Sequence, residues 1–229
     1  MASSPGRVET RIVIVEDHQL FAEAFDLTLS VEGYDVRRVE VPTLPSAAGV
    51  LVANVIKQRP RVVLLDLDLG RFGDGVPLID PMARSGANVV VVTGSADLAR
   101  WGEAVRAGAR KVHAKSEPLR DILATVRRLT AGLPVMGSEE REELLSAWNQ
   151  HRFESQGLHD RLELLTVREG EVLGHLMKGR AVREIAGIGV VSEATVRTQV
   201  KSILAKLGVS SQLAAVGMAH QIGWRAPML

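Results

Sequence analysis

Between Arg61 and Gly75 the chain reads RVVLLDLDLGRFGDG, where two carboxylates, Asp66 and Asp68, follow directly on a run of branched aliphatic residues. A strand that apolar is normally buried on both faces, so an acid at its end stands where a sheet opens to solvent. Three comparable runs lie along the chain: RIVIVED ends in Glu16 and Asp17, NVVVVTGS carries Thr93, and RKVHAKS carries Lys115. Taken singly, each acid reads as readily as a helix cap or a solvated turn residue. Taken together, acids converging without a cation would raise one another's pKa and destabilise the fold. A divalent ion removes that conflict, and Mg2+ is usually held by one or two carboxylates plus phosphate oxygens and water. A carboxylate beside such an ion, with a hydroxyl and an ammonium group in reach, can attack phosphorus and form an acyl phosphate. Asp66 is the candidate nucleophile of that reaction.

Bringing these groups to one place requires strands that end at one edge. Through about Ala131 the aliphatic runs alternate with segments of helical spacing, such as HQLFAEAFDLTLSVEG and ADLARWGEAVRAGA. That alternation predicts a parallel sheet wrapped by helices, whose functional groups gather beyond the C-terminal strand ends. From Arg161 the pattern changes to helices only, with Thr166 as N-cap and Glu169 completing a capping box. The intervening stretch begins with Gly and Pro and continues as a polar, mildly amphipathic segment. The expected organisation is an α/β domain over 10–131, a partly helical linker over 132–160 and an all-α domain over 161–229.

Composition agrees with two modest cores: 46% of the 229 residues are hydrophobic. Aromatics are only 3%, so Val, Leu, Ile and Ala must fill those cores and no aromatic stacking platform for nucleic acid is expected. The chain has no cysteine, which excludes disulfides, thiolate metal sites and a thiol nucleophile. MASSPGRVETR does not resemble a signal peptide, and no apolar run approaches the roughly 20 residues of a membrane span; a cytoplasmic protein without a membrane partner is expected. From Arg161 onward nine basic and five acidic residues give a net charge of +4, against −3 for everything before. A small basic C-terminal part suits a polyanion-binding module attached to something else.

That part reads as four short helices. Ser192 caps the third, which runs to about Leu207 and repeats Val196, Val200, Ile203, Leu204 and Leu207 at spacings of three and four. Arg197, Thr198 and Lys201 fall on the opposite side. A short helix, a tight turn and a capped helix with a basic free face suit insertion into the major groove of double-stranded DNA, although Arg197 and Lys201 alone would equally serve solubility. On the last helix Val209, Leu213, Val216 and Gly217 make a second stripe, either a dimer surface or the seam that closes the domain itself.

The first domain resembles the response-regulator receiver domains of bacterial two-component systems. The resemblance rests on Glu16-Asp17, Asp66, Asp74-Gly75, Thr93, AGA at Ala107 to Ala109, and Lys115. It implies a flavodoxin-like, doubly wound, five-stranded parallel sheet with Asp66 as phospho-acceptor. Asp17, Asp66 and the backbone carbonyl of Asp68 would ligate Mg2+, with Glu16 acting through water. Thr93 would hydrogen-bond the phosphoryl group and Lys115 would pair with it. Gly70 stands where the family often has Pro, which implies a more mobile loop, and Val112 stands where an aromatic switch residue is usual, with His113 beside it. LLDLDLG also looks like the nucleophile motif of haloacid-dehalogenase-type phosphatases, but the order of acidic pair, nucleophile and lysine along the chain disagrees with that pattern.

The C-terminal segment is similar to the LuxR/FixJ/NarL-type helix-turn-helix through LTVRE, Gly179, EIA at Glu184 to Ala186, VSEATV at Val191 to Val196, and AKLGV at Ala205 to Val209. By that resemblance Arg197, Thr198 and Lys201 face bases and nearby phosphates, Ser192 and Thr195 contact the DNA backbone, and the last helix supplies a dimer surface. Gly189 departs from the usual Leu, with Ile188 the candidate to fill the gap, and Gln199 departs from a common His. The two resemblances together imply a two-component transcriptional regulator with no enzyme activity of its own assigned. Its expected partners are a sensor histidine kinase, an operator with paired half-sites, a second copy of the chain, and RNA polymerase as a candidate. The alternative keeps both domains but makes DNA binding independent of phosphorylation, with the receiver as a dimerisation platform or ligand sensor.

Overall fold

Five strands form, β1 (Arg11–Val15), β2 (Asp35–Arg38), β3 (Val62–Leu65), β4 (Asn88–Thr93) and β5 (Lys111–Ala114); β1, β3 and β4 are runs of Val, Ile and Leu, whereas β2 (DVRR) and β5 (KVHA) carry one Val each. The computed structural model describes residues 10–226. All neighbouring strands are parallel, in the order β2-β1-β3-β4-β5. Alternate residues of each strand feed opposite faces. Val13 and Val15 pack with α2 (Ala48–Lys57), α3 (Val76–Arg84) and α4 (Leu98–Ala107), whereas Ile12 and Ile14 pack with α1 (Gln19–Val31) and α5 (Leu119–Thr130). This is the parallel, helix-wrapped sheet expected from the alternation of runs, in the doubly wound, five-stranded form that the resemblance implied. Its strand order reverses direction at β1 and β3, where such sheets open a crevice.

The chain divides into two compact units after Asn149. The division falls inside α6 (Ser138–Glu163), a helix of 26 residues that occupies most of the stretch read from sequence as a partly helical linker. The first half of α6 belongs to the sheet unit. Leu144 is buried in the core beneath α4, Glu140 Oε2 accepts from Lys111 Nζ at 2.7 Å, and the Arg106 guanidinium lies 4.7 Å from the Trp148 ring centroid. Gly102 on α4 makes the approach possible, because a Cβ there would collide with the Leu144 carbonyl and the Trp148 Cβ.

The second unit holds α7 (Val167–Met177), α8 (Val182–Ile188), α9 (Glu193–Leu207) and α10 (Gln212–Gln221), and the end of α6 adds Leu162 to their core. The capping box forms as read: the Glu169 N–H donates to Thr166 Oγ1 at 3.3 Å and the Thr166 N–H to Glu169 Oε2 at 2.7 Å. The same carboxylate accepts from Ser202 Oγ and Lys206 Nζ of α9, each at 2.6 Å. Burial alone would raise the Glu169 pKa; the hydrogen bonds from Lys206, Ser202 and Thr166 outweigh it and hold the pKa at about 2.

Replacing Gly by Ala inside a helix normally stabilises it by up to about 1 kcal/mol. At Gly102 the collision with α6 should win, and Gly102→Ala should destabilise the sheet unit by about 1–3 kcal/mol, the usual cost of overpacking. Urea denaturation with near-UV dichroism of the tryptophans measures this. A net gain in stability would contradict close packing of α4 on α6.

Candidate functional site

The parallel register sets the site. Val15 lies level with Leu65 and Thr93 with Ala114, so Glu16 and Asp66 leave adjacent strands side by side and Lys115 follows one residue beyond the level of Thr93. Asp66 is only 2% exposed. Lys115 Nζ donates to Asp66 Oδ2 at 2.7 Å and to Glu16 Oε1 at 2.8 Å, and it sits 4.7 Å from the Phe21 ring centroid. The Asp68 N–H donates to Asp66 Oδ1 at 3.1 Å and the His18 N–H to Glu16 Oε1 at 2.9 Å. Glu16, Asp17, Asp66 and the His18 imidazole each present a ligand atom within 4.8 Å of the others. Three carboxylates on two strand ends fit a hard divalent ion such as Mg2+. His18 enters this group without any sequence signal beyond its adjacency to the acidic pair.

Burial, the largest influence on Glu16, raises its pKa together with the charge of Asp66, against hydrogen bonds from Lys115 and His18. For Lys115, burial works toward a lower pKa, but hydrogen bonds and charges from Asp66 and Glu16 outweigh it and raise the pKa. The ammonium group therefore stays charged and partly neutralises the acids. Thr93 is fully buried; its Oγ1 accepts from the Ser95 N–H at 3.1 Å and its carbonyl from the Lys115 N–H at 2.7 Å. Its hydroxyl thus stands at the end of β4, the strand between those of Asp66 and Lys115.

The loop after Asp66 is tied from α4 by Arg100, a residue that no motif or spacing in the sequence singles out. Its guanidinium donates to Asp68 Oδ1 at 2.7 Å, to the Leu67 carbonyl at 3.0 Å and to Asp74 Oδ1 at 3.1 Å. Burial opposes the Arg100 charge, and the hydrogen bonds and charges of Asp68 and Asp74 overcome it and raise its pKa. Asp68 and Asp74 form an isolated antiparallel bridge in which Gly75 N–H donates to the Leu67 carbonyl and Leu69 N–H to the Gly73 carbonyl. The Asp68 carbonyl is left out of that ladder, while its carboxylate is occupied by Arg100. Gly70 has φ +54°, a left-handed conformation closed to Pro, and a Cβ there would strike Asp17 Oδ2. The absent Pro is thus matched by a different backbone path and by the Arg100 tie.

Val112 is buried among the aliphatic residues of the α2–α4 face. His113 points the other way: its Nε2 lies 2.9 Å from Thr125 Oγ1 and its Nδ1 2.6 Å from Glu117 Oε2. It is a strand residue facing α5, with no contact that would replace an aromatic switch. Burial acts to raise the Glu117 pKa, and hydrogen bonds from His113 and the Ala114 N–H outweigh it and lower the pKa.

In the second unit Ser192 caps α9, accepting from the Thr195 N–H at 3.1 Å. Val196, Val200, Ile203 and Leu207 are buried and Leu204 partly so, leaving Arg197, Thr198 and Lys201 exposed together with Ser192 and Thr195. Gln199 is turned inward, and its Oε1 is buried without a partner among the described residues. Ile188 is 51% exposed and does not fill the space at Gly189; the Arg168 guanidinium occupies it and donates to the Gly189 carbonyl at 3.3 Å. The stripe on α10 and its approach divides: Val209 and Val216 pack partly on their own core, whereas Leu213 is 81% exposed and Gly217 is exposed. No single helix among the described residues is long and apolar enough to cross a membrane.

Comparison with known proteins follows the same division. Residues 12–127 match the response regulator receiver domain family, and residues 163–219 match the bacterial regulatory proteins of the luxR family. The transcriptional regulatory protein DesR of Bacillus subtilis (strain 168) is 27% identical over 214 residues, covering 93% of this chain and 98% of DesR. LiaR of the same organism, also a transcriptional regulatory protein, is 27% identical over 213 residues, covering 92% and 97%. A solved complex of the two-component response regulator RcsB with DNA aligns with a TM-score of 0.49 at 23% identity, over 93% of this chain and 98% of RcsB.

Outer-shell partners that orient a metal site typically cost tenfold or more in affinity when removed. Arg100→Ala should weaken Mg2+ binding by roughly tenfold, and Arg100→Lys, which keeps the charge but loses the fork, should behave like Ala. Titration of tryptophan fluorescence reads this, since Trp101 on α4 donates from its indole to the Ser95 carbonyl at 2.8 Å. Wild-type affinity in Arg100→Lys would reduce the residue's role to charge alone.

Proposed function

The chain belongs to the response regulators, with a receiver domain followed by a LuxR-type DNA-binding domain, and we propose that transfer of a phosphoryl group to Asp66 controls its dimerisation and its binding to an operator. The observation that carries this reading is the pairing of a buried Asp66 with Lys115 beside Glu16 and Asp17. In the proposed reaction an Asp66 oxygen attacks the phosphorus of a phosphohistidine on a sensor kinase; the O–P bond forms as the P–N bond breaks and the imidazole leaves. Asp17, Asp66 and the Asp68 carbonyl would hold Mg2+, with Glu16 acting through water. When bound, the ion neutralises charge that builds on the transferring oxygens. Lys115 already contacts Asp66 Oδ2 and needs only a short shift to pair with the phosphoryl oxygens, while the Thr93 hydroxyl donates to one of them.

On the DNA side, Arg197, Thr198 and Lys201 read bases and adjacent phosphates, and Ser192 and Thr195 hold the backbone at the start of α9. Two copies, meeting through Val209, Leu213, Val216 and Gly217, occupy paired half-sites and regulate transcription through RNA polymerase in the cytoplasm. Within that surface, the exposure of Leu213 and Gly217 supports the contact more than the partly packed Val209 and Val216 do.

With Mg2+ and acetyl phosphate the protein should gain one phosphoryl group by intact-mass measurement, and Asp66→Asn should gain none. Phosphorylation should also tighten operator binding; equal affinity before and after would favour the phosphorylation-independent reading, which the non-aromatic Val112 supports.

Arg197→Ala and Lys201→Ala should each weaken operator binding without unfolding α9. If a side chain contacts phosphate, the slope of log affinity against log salt should flatten by about one unit; if it reads guanine, roughly 1–3 kcal/mol of discrimination should vanish at one base position. Undiminished binding by the double variant would take α9 out of recognition.

A further inference from the structure

At the opposite edge of the sheet from Asp66, about 17 Å away by strand rise, the first unit has a second hollow of about 960 Å³. Five arginines line it: Arg61 before β3, Arg84 at the end of α3, Arg106 on α4, Arg110 before β5, and Arg141 in α6. Among the described residues its only lining acid is Asp80, already bound to Arg84 at 2.9 Å. The concentration is local, because residues 1–149 as a whole carry 18 basic and 20 acidic side chains.

Helix ends explain part of this charge. Arg84 and Arg106 stand in the last turns of α3 and α4, where carbonyl dipoles favour cations. The C-termini of α3, α4 and α5 supply about −0.5 each, roughly −1.5 against a side-chain charge of +4, so about +2.5 remains uncompensated. Arg61, Arg110 and Arg141 have no ion-pair partner among the described residues. Arg141 is moreover the fourth residue of α6, near the positive end of its helix, where a cation gains nothing from the dipole. Leu129, Leu133, Val135 and Met136 add an apolar wall, and the volume lies in the range of small-molecule sites.

We infer that this hollow is an anion site for a nucleoside di- or triphosphate, its phosphates held by Arg61, Arg110 and Arg141 and its base against the apolar wall. Multiply charged phosphate is the ligand that several separate guanidinium forks match, and a concave site with an apolar side suits a small molecule better than a duplex. The site is distinct from the phosphoryl-acceptor pocket and shares no residue with it.

Calorimetric titration of the full chain with pyrophosphate and with ATP, in EDTA so that the acidic pocket contributes nothing through divalent ions, tests the assignment. One equivalent should bind, ATP several-fold more tightly than pyrophosphate, and both should weaken at least tenfold in Arg110→Glu/Arg141→Glu. The milder Arg110→Gln/Arg141→Gln pair, checked by thermal melting, should show an intermediate loss even if the charge reversal impairs folding. Arg197→Ala/Lys201→Ala should bind the anions as wild type does. Absence of binding at millimolar ligand, or equal affinity in the Gln pair, would overturn the site. Loss of operator affinity in the Gln pair with anion binding untouched would also overturn it, by making this face a contact for the DNA backbone.

Discussion

The ion pairs that Lys115 makes with Asp66 and Glu16 are the constraint around which the first unit is arranged. The side chains of Glu16 and Asp66 are 3% and 1% exposed and that of Lys115 is 11%. Charges this far out of water cost several kcal/mol each unless geometry and hydrogen bonds compensate them. Compensation here comes from three strand ends held in parallel register, since β1 supplies Glu16, β3 supplies Asp66 and β5 supplies Lys115. A one-residue slip in any of these strands would turn its end group toward the opposite face. The aliphatic strands thus do more than fill a core; they set where buried charge can be tolerated.

Around that centre the loops are tied rather than simply closed. Arg100 spans from α4 to Asp68, Asp74 and the Leu67 carbonyl, so the loop after Asp66 and the helix after Thr93 share one guanidinium. α4 is in turn packed on α6 through the bare backbone of Gly102. A contiguous set of contacts therefore joins the acidic pocket, the loop that follows Asp66, α4 and the first half of α6. In the second unit Glu169 has a comparable role on a smaller scale, joining the start of α7 to Ser202 and Lys206 on the back of α9. The exposed side of that helix keeps Arg197 and Lys201 free of the core.

Much of this could be read before any coordinates. Alternation of apolar runs and helical spacing predicted the wound sheet, strand-end chemistry picked out Glu16, Asp17, Asp66, Thr93 and Lys115, and the three-four periodicity of α9 separated its buried face from its basic one. These features are local: period, capping and end position are written in short stretches of chain. The capping box of Thr166 and Glu169 is the clearest case, because all of its atoms lie within four residues.

What the sequence by itself determined, then, is the type of the strongly patterned elements and which chemical groups stand at their ends; the polar strand β2 and the full length of α6 carry no comparable pattern. The tertiary structure alone decided how distant segments meet. Arg100 differs from other surface arginines only because its helix passes over Asp68, and Gly102 only because α6 crosses there. Gly70 is required by a backbone path that brings it against Asp17, the division of Val209 and Val216 from Leu213 follows from how α10 lies on its core, and the convergence of Arg61, Arg110 and Arg141 joins two loops and the start of α6. The physical reason is the same in each case: helix and strand periodicity act over a few residues, whereas these contacts depend on the packing of side chains far apart in the chain, which no local pattern encodes.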